Sequence, residues 1–308
     1  MKKRMTNIGK NFFCFSMALD EKRGMLYTGG NKSRAMDFPG QTNIREIKRV
    51  KNCSPYLSPS GAYVMFFKDS CSMSLYAADQ LETRIYHGRF KPSGSNLACW
   101  KDDTCFLFAT EGTVNRVCID AETKTVRPQV WMDLRKYMGN PDLQITSVDC
   151  YDHRTLLFIR KWIPGERNCI AEIDDDGNVL IRTLGEALSG YDDVRYDRRG
   201  GAFYSNRSKD MAWCETIDCV DRADKTIEGV KAYCTRISSD GRYVVSGTRD
   251  GEESGAVIVE TDTFSIRKKF EYRTARWGMV GFSSDGRYAL IGGKPARIID
   301  VKALEAMG

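Results

Sequence analysis

The sequence predicts an all-β repeat protein, and three observations carry the prediction. The hexapeptide Ser238-Ser239-Asp240-Gly241-Arg242-Tyr243 recurs as Ser283-Ser284-Asp285-Gly286-Arg287-Tyr288, an offset of 45 residues. Each copy separates two short apolar runs, and Asp-Gly in that setting is a strong hairpin signal, because glycine takes positive φ without steric cost. Helical periodicity is nearly absent; apolar and polar residues alternate, with turn residues every few positions.

Working back from the two hexapeptides, weaker counterparts fall at Arg198-Arg199-Gly200, Asp152-His153-Arg154, Asp102-Asp103, Ser60-Gly61 and Lys22-Arg23-Gly24. Their spacings of about 38 to 50 residues match one four-stranded propeller blade per repeat. Seven hairpins predict seven blades in a single domain over residues 1–308. After each hairpin come a second strand, a loop and a third strand, most of these ending in an apolar residue followed by an acid: Met36-Asp37, Ile119-Asp120, Ile173-Asp174, Ile217-Asp218, Val259-Glu260 and Ile299-Asp300. The second blade offers only Tyr76 and Asp79. Fourth strands are expected at Ile44 to Val50, Thr83 to Tyr86, Val126 to Val130, Val179 to Thr183, Ile227 to Val230 and Ser265 to Phe270. Short helices are expected at Met132 to Met138, Gly185 to Leu188 and Val301 to Met307. The seventh blade has no fourth strand of its own, while Lys2 to Ile8 is spare ahead of the first inner strand (Asn11 to Ala18). Closing the ring with that N-terminal strand removes an exposed sheet edge.

An apolar strand, Ser-x-Asp-Gly-Arg, a second apolar strand, and a third ending in apolar-Asp together resemble a WD-repeat β-propeller. The resemblance spans essentially the whole chain and is sharpest in the last two blades. No blade carries the Gly-His dipeptide, and Ile, Val or Met stands where the family has the Trp of Trp-Asp. The family's buried hydrogen-bond network therefore cannot form in its usual way, so blade cohesion is expected from sheet-on-sheet packing by residues such as Val244, Ile258, Leu290 and Ile298. The resemblance implies a platform for protein partners.

Composition agrees with a globular chain. Of 308 residues, 42% are hydrophobic and 29% charged, and the net charge is +6. No apolar run nears the roughly 20 residues of a membrane span. Met1-Lys2-Lys3-Arg4 followed by Phe12 to Leu19 reads as a strand rather than a cleaved signal. Eleven cysteines without a Cys-x-x-Cys pair fit a reduced, cytoplasmic protein, expected to be a monomer.

Motifs for chemistry are scarce, and no metal or cofactor is expected. His87 and His153 belong to different blades. Asp174-Asp175-Asp176-Gly177-Asn178 resembles part of a calcium loop, with Glu172, Asp174 and Asp176 as ligands, but Thr183 stands where a bidentate Glu is needed. A solvated turn is the simpler reading. No P-loop and no Gly-x-Ser-x-Gly elbow is present.

The informative pattern is positional. The loop between second and third strands falls on the face of the propeller around the channel mouth. Taken blade by blade it supplies Lys32, Lys68, Glu111, Lys161, Arg207, Arg249 and Lys294. Lys231, Tyr233, Arg276 and Trp277 join them at the start of inner strands, with Trp162 and Tyr191 near the same face. Cations interleaved with aromatics would attract an acidic or phosphorylated peptide. The expectation is a non-catalytic scaffold for a protein or peptide partner. One alternative is a channel hydrolase or lyase using Asp149, Asp192, Asp193 and Arg195; another is a nucleic-acid binder.

Overall fold

The two Ser-Ser-Asp-Gly-Arg-Tyr hairpins fold as near copies. In the first, Ser238 Oγ donates to Asp240 Oδ1 (2.6 Å) and accepts the Tyr243 N–H (3.0 Å). In the second, Ser283 Oγ donates to Asp285 Oδ1 (3.0 Å) and accepts the Tyr288 N–H (2.9 Å). The glycines close these turns at φ +73° and +75°, a region that favours glycine. Each glycine N–H returns to the serine carbonyl, at 2.9 and 3.0 Å. Ser58-Pro59-Ser60-Gly61-Ala62-Tyr63 builds the same clamp, with Tyr63 N–H on Ser58 Oγ (3.1 Å) and Gly61 at φ +76°.

The computed structural model describes residues 5–8, 14–68, 72–90, 97–120, 122–123, 125–161, 165–250, 253–272 and 279–305, with backbone alone at 249–250, 253–254, 272 and 305. The chain is an all-β, seven-bladed propeller of four-stranded antiparallel sheets. It opens with β1 (Met5–Ile8). Blade one is β2 (Cys14–Asp20), β3 (Met25–Gly30), β4 (Arg34–Asp37) and β5 (Arg45–Glu46). Blade two is β6 (Ser54–Leu57), β7 (Tyr63–Lys68), β8 (Ser72–Ala77) and β9 (Arg84–Arg89). Blade three is β10 (Ala98–Trp100), β11 (Cys105–Thr110), β12 (Thr113–Ile119) and β13 (Val126–Asp133), followed by α1 (Leu134–Met138). Blade four is β14 (Leu143–Tyr151), β15 (Arg154–Lys161), β16 (Cys169–Ile173) and β17 (Val179–Thr183), followed by α2 (Glu186–Ser189). Blade five is β18 (Asp193–Tyr196), β19 (Ala202–Ser205), β20 (Met211–Cys214) and β21 (Lys225–Ile227). Blade six is β22 (Ala232–Ile237), β23 (Tyr243–Asp250), β24 (Glu253–Glu260) and β25 (Ser265–Tyr272). Blade seven is β26 (Val280–Phe282), β27 (Tyr288–Ile291) and β28 (Ala296–Asp300), with α3 (Lys302–Glu305) after it. Its fourth strand is β1, paired antiparallel from Met5↔Ile299 to Ile8↔Ala296, as the spare N-terminal strand predicts.

Two compact units divide this chain. One comprises residues 1–68, 73–87 and 230–308; the other comprises 69–72 and 88–229. Within the first, Cys234, Val245, Ile258, Ala289 and Ile291 pack blades six and seven, and Leu19, Leu26, Leu290 and Ile298 enclose Ile8 of β1. Within the second, Leu107, Val148, Leu157 and Ala171 join blades three and four, while Phe158, Val194, Tyr204 and Ala212 join four and five. Val244, Ile258, Leu290 and Ile298 are all buried, so the expected apolar packing is in place.

Several bounds differ from the sequence reading. The fourth strand of blade one pairs only at Arg45–Glu46. Beyond it the Ile47 N–H bonds Ser33 O (2.9 Å) and the Ser33 N–H bonds Val50 O (3.3 Å), so the chain leaves the sheet to bury Ile47 and Val50. The third strand of blade five stops at Cys214 rather than Ile217, whose N–H instead meets Gly200 O at 3.3 Å. Its fourth strand comes earlier than expected, at Lys225–Ile227. The helix at α1 starts at Leu134 because Asp133 caps it, accepting the N–H groups of Arg135 and Lys136.

Neighbouring hairpins brace one another. Arg23 of the blade one hairpin donates to the carbonyl of Gly61, and Ser284 Oγ donates to Glu21 Oε2 at 2.8 Å. Burial, reinforced by a hydrogen bond with Asp285, pushes the Glu21 carboxyl up from 4.5 to about 7. Stability from this group is therefore complete below pH 4.5 and lost as pH rises through about 7. Glu21→Gln should flatten the pH dependence of urea stability between pH 5 and 8, by about 1 kcal/mol after allowing for solvent contact. Gly286→Ala should cost about 1–2 kcal/mol in the same titration, because alanine resists positive φ. Its Cβ would also lie 2.8 Å from Ser239 Oγ.

Candidate functional site

Antiparallel meanders place the first-to-second connection of each blade at one end and the second-to-third connection at the other. Three inner strands are bulged near the latter end. The register skips Phe15 in β2, Thr146 in β14 and Tyr233 in β22. A bulge re-aims its extra side chain and sharpens the local twist. Phe15 and Tyr233 are half-buried against the same core cluster. Tyr233 lies over Gly247, where a Cβ would meet its ring at 2.9 Å. The Phe15 carbonyl accepts the Met279 N–H (2.7 Å), and Cys14 exchanges backbone hydrogen bonds with Gly293 (3.3 and 2.7 Å). The blade seven loop that carries Lys294 is thereby tied to the start of blade one.

The first unit holds Lys32, Lys68, Lys231, Tyr233, Arg249 and Lys294. Lys231 and Lys294 are exposed and make no ion pair among the described residues. Lys32 is paired with Glu46, Nζ to Oε2 at 2.8 Å. Lys68 is half-buried at the end of β7. Arg249 occupies β23, where backbone alone is described. Arg276 and Trp277 lie outside the described residues, as does Trp162. The second unit holds Lys161 and Arg207. Lys161 pairs with Glu166 at 3.2 Å, while Arg207 is exposed after β19. Glu111 pairs with Arg135 at 3.0 Å. Tyr191 is buried and donates its hydroxyl to Asp210 O at 2.7 Å. Nearby carboxylates thus screen some cations of the predicted set.

The acids considered for chemistry are committed to structure. Arg195 is 2% exposed; it pairs with Asp193 (2.9 Å) and donates to Val148 O (2.6 Å). Asp149 accepts the Tyr196 N–H at 2.9 Å. Glu172 is buried, accepting Arg182 Nη1 (2.6 Å) and the Tyr196 hydroxyl (3.0 Å). Asp174 accepts both nitrogens of Asn178 at 2.8 Å, and Asp175 meets Lys101 (2.5 Å) and His153 (3.0 Å). The acid-rich segment is therefore a turn in which the Asp174 and Asp175 carboxylates are already occupied. His87 Nδ1 lies 3.1 Å from Ser74 Oγ. No catalytic constellation is assembled among the described residues. Among the acids proposed for channel chemistry, Asp192 is raised: burial, with the neighbouring Asp193 charge, pushes it up to about 6.

Thiols are what the sequence reading passed over. Cys105 and Cys118 face each other in register across β11 and β12, with sulfurs 3.9 Å apart. Cys99 and Cys150 lie 2.9 Å apart. Cys214, Cys219 and Asp224 place their donor atoms within 4.8 Å of one another. The spacing Cys-x₄-Cys-x₄-Asp was a weak signal for this last cluster; only the register of the strands could have paired Cys105 with Cys118. Its contact with Cys105, then the nearby Arg116 charge, holds the Cys118 thiol down at about 6, against the opposing effect of burial.

The fold is that of a seven-bladed β-propeller. A crystal structure of the β-propeller domain of Cps50 (Swd1) from Myceliophteria thermophila matches with a TM-score of 0.69 at 14% identity, covering 95% of this chain and 98% of that one. At that identity the likeness establishes the fold alone. No protein-family model matches the sequence, and no curated protein matches it. No helix among the described residues is long and apolar enough to cross a membrane.

Cys118 gives the arrangement a direct readout. Its alkylation by iodoacetamide, followed by peptide mass spectrometry, should rise through about pH 6, where an ordinary thiol responds near pH 8.5. Arg116→Gln should move that midpoint upward; an unchanged midpoint would mean that the guanidinium contributes nothing.

Proposed function

We propose that the chain is a non-catalytic interaction scaffold that captures an acidic or phosphorylated protein segment on the face bearing its second-to-third strand connections. The observation that carries this reading is that Lys231 and Lys294 of the first unit are exposed and without an ion pair among the described residues, with the bulged Tyr233 following closely on Lys231. Tyr233 is fixed over Gly247 and so offers an aromatic surface at low entropic cost. Of the carboxylates that would serve a hydrolase, Asp193 is paired with buried Arg195 and Asp149 accepts the Tyr196 N–H, which weighs against catalysis. Propellers of this kind commonly act as platforms, which supports the reading by analogy. Lys32, Lys68 and Arg249 belong to the same unit and are further candidate contacts in this proposal. A reducing, cytoplasmic setting fits cysteines that are free thiols among the described residues.

The test is charge reversal in the first unit. Lys231→Glu, Arg249→Glu and Lys294→Glu combined should leave the circular dichroism unchanged and weaken capture of an acidic partner from native lysate by about 100-fold, at roughly 1 kcal/mol per contact. Undiminished capture would place the partner on another surface. Tight binding of a single-stranded oligonucleotide with a steep salt dependence would favour the nucleic-acid alternative instead.

A further inference from the structure

Blade five departs from its neighbours in the connection between its third and fourth strands. Residues 215–224 separate β20 from β21, whereas 174–178 suffice between β16 and β17 and 261–264 between β24 and β25. The long connection is anchored at three points by potential ligands. Cys214 ends β20 and is buried, Asp224 immediately precedes β21 and is exposed, and Cys219 lies midway, half-buried. Both sulfurs converge on one backbone oxygen, the Arg222 carbonyl, at 3.5 Å from Cys214 and 3.2 Å from Cys219.

The spacing is that of thiol hydrogen bonds and also suits a tetrahedral cation. Zinc bonds of about 2.3 Å to sulfur and about 2.0 Å to oxygen at tetrahedral angles place the two ligand atoms about 3.5 Å apart. The thiol-to-carbonyl distances are therefore close to the edges of such a tetrahedron. The Asp224 carboxylate is oriented as well, since Oδ2 accepts the Glu215 N–H at 2.9 Å, the kind of supporting hydrogen bond that metal ligands carry. The Tyr204 hydroxyl, in the same core cluster as Cys214, is fully buried and has no hydrogen-bond partner among the described residues.

We propose that Cys214, Cys219 and Asp224, with the Arg222 carbonyl as fourth donor, form a structural site for a zinc-class divalent cation. Two soft thiolates select zinc over magnesium or calcium. Binding of the dication displaces one proton from each thiol and leaves the carboxylate charge unchanged in number, so two protons are released per metal. The cation would pin the long connection to the end of β20 and thereby fix the outer half of blade five. This site is independent of the loop face proposed for partner capture.

The experiment uses the full chain, stripped by chelator and kept in a phosphine reductant, titrated with Co²⁺ as a spectroscopic probe. One equivalent should produce a thiolate-to-cobalt charge-transfer band in the near ultraviolet and tetrahedral bands in the visible, both abolished by one equivalent of Zn²⁺. Calorimetry in buffers of differing ionisation enthalpy should count two protons released. Cys219→Ser, on the half-buried ligand, should weaken metal binding by more than about 100-fold, beyond what a supporting group contributes. Asp224→Asn should weaken it less, and Cys118→Ser should leave it unchanged. Amide exchange across 215–224 should slow on metal addition in the wild type and not in Cys219→Ser, a readout that holds even where a variant is less stable. A wild-type chain without the charge-transfer band, a band retained by Cys219→Ser, or a Cys214–Cys219 disulfide formed in place of metal capture would each overturn the proposal.

Discussion

A small polar clamp sets the register on which the blades depend. One serine hydroxyl spans each of the best-formed hairpins, donating to an aspartate and accepting the backbone N–H five residues on, while a glycine at positive φ closes the turn. Strand pairing has a period of two, so a slip of one residue would turn every core side chain towards solvent. The clamp prevents that slip at its origin. In blade six it leaves Val245 and Ile258 facing each other inside the core, and in blade seven it does the same for Leu290 and Ile298. Blades with poorer versions of the motif replace the serine by another short acceptor. Asp20 accepts the Arg23 N–H at 3.1 Å, and Asp197 accepts the Arg199 N–H at 3.2 Å.

Replacing serine by aspartate places a charge in the interior, and the structure compensates each one. Asp197 is fully buried and accepts Trp213 Nε1 (2.6 Å) together with the Arg199 guanidinium (2.9 Å). Arg195 sits between Asp193 and the Val148 carbonyl, and Glu172 between Arg182 and Tyr196. A buried ion costs several kcal/mol unless paired and hydrogen-bonded. These groups therefore hold blades four and five together rather than standing ready for substrate. These buried polar ties lie within the second unit.

The two ends of each blade carry different obligations. At the hairpin end, neighbouring turns brace one another, through Arg23 on Gly61, Ser284 on Glu21 and Tyr151 on the Arg198 carbonyl. At the other end, bulges at Phe15, Thr146 and Tyr233 interrupt the ladder and redirect side chains. Regularity at one end gives the sheets their register. Irregularity at the other leaves side chains aimed by local backbone rather than by the sheet period, which is where a binding surface can vary without unfolding the blade.

The sequence by itself determined the all-β class, the seven blades and the use of the N-terminal strand to complete the last one. Those features follow from local chemistry: turn residues at a regular period and alternation between them, each readable within about ten residues. Its placing of cations in the second-to-third connections was less accurate, since Lys68, Lys161 and Arg249 belong to the strands themselves. Only the tertiary structure decided which of those cations remain unscreened, because Lys32 finds Glu46 and Lys161 finds Glu166 through the folded path of the chain. The bulge at Tyr233 was equally hidden, since register is a property of two strands and not of one. The thiol clusters were hidden for the same reason: Cys105 meets Cys118 by cross-strand register, and Cys214, Cys219 and Asp224 converge because a connection without regular structure folds back on the Arg222 carbonyl.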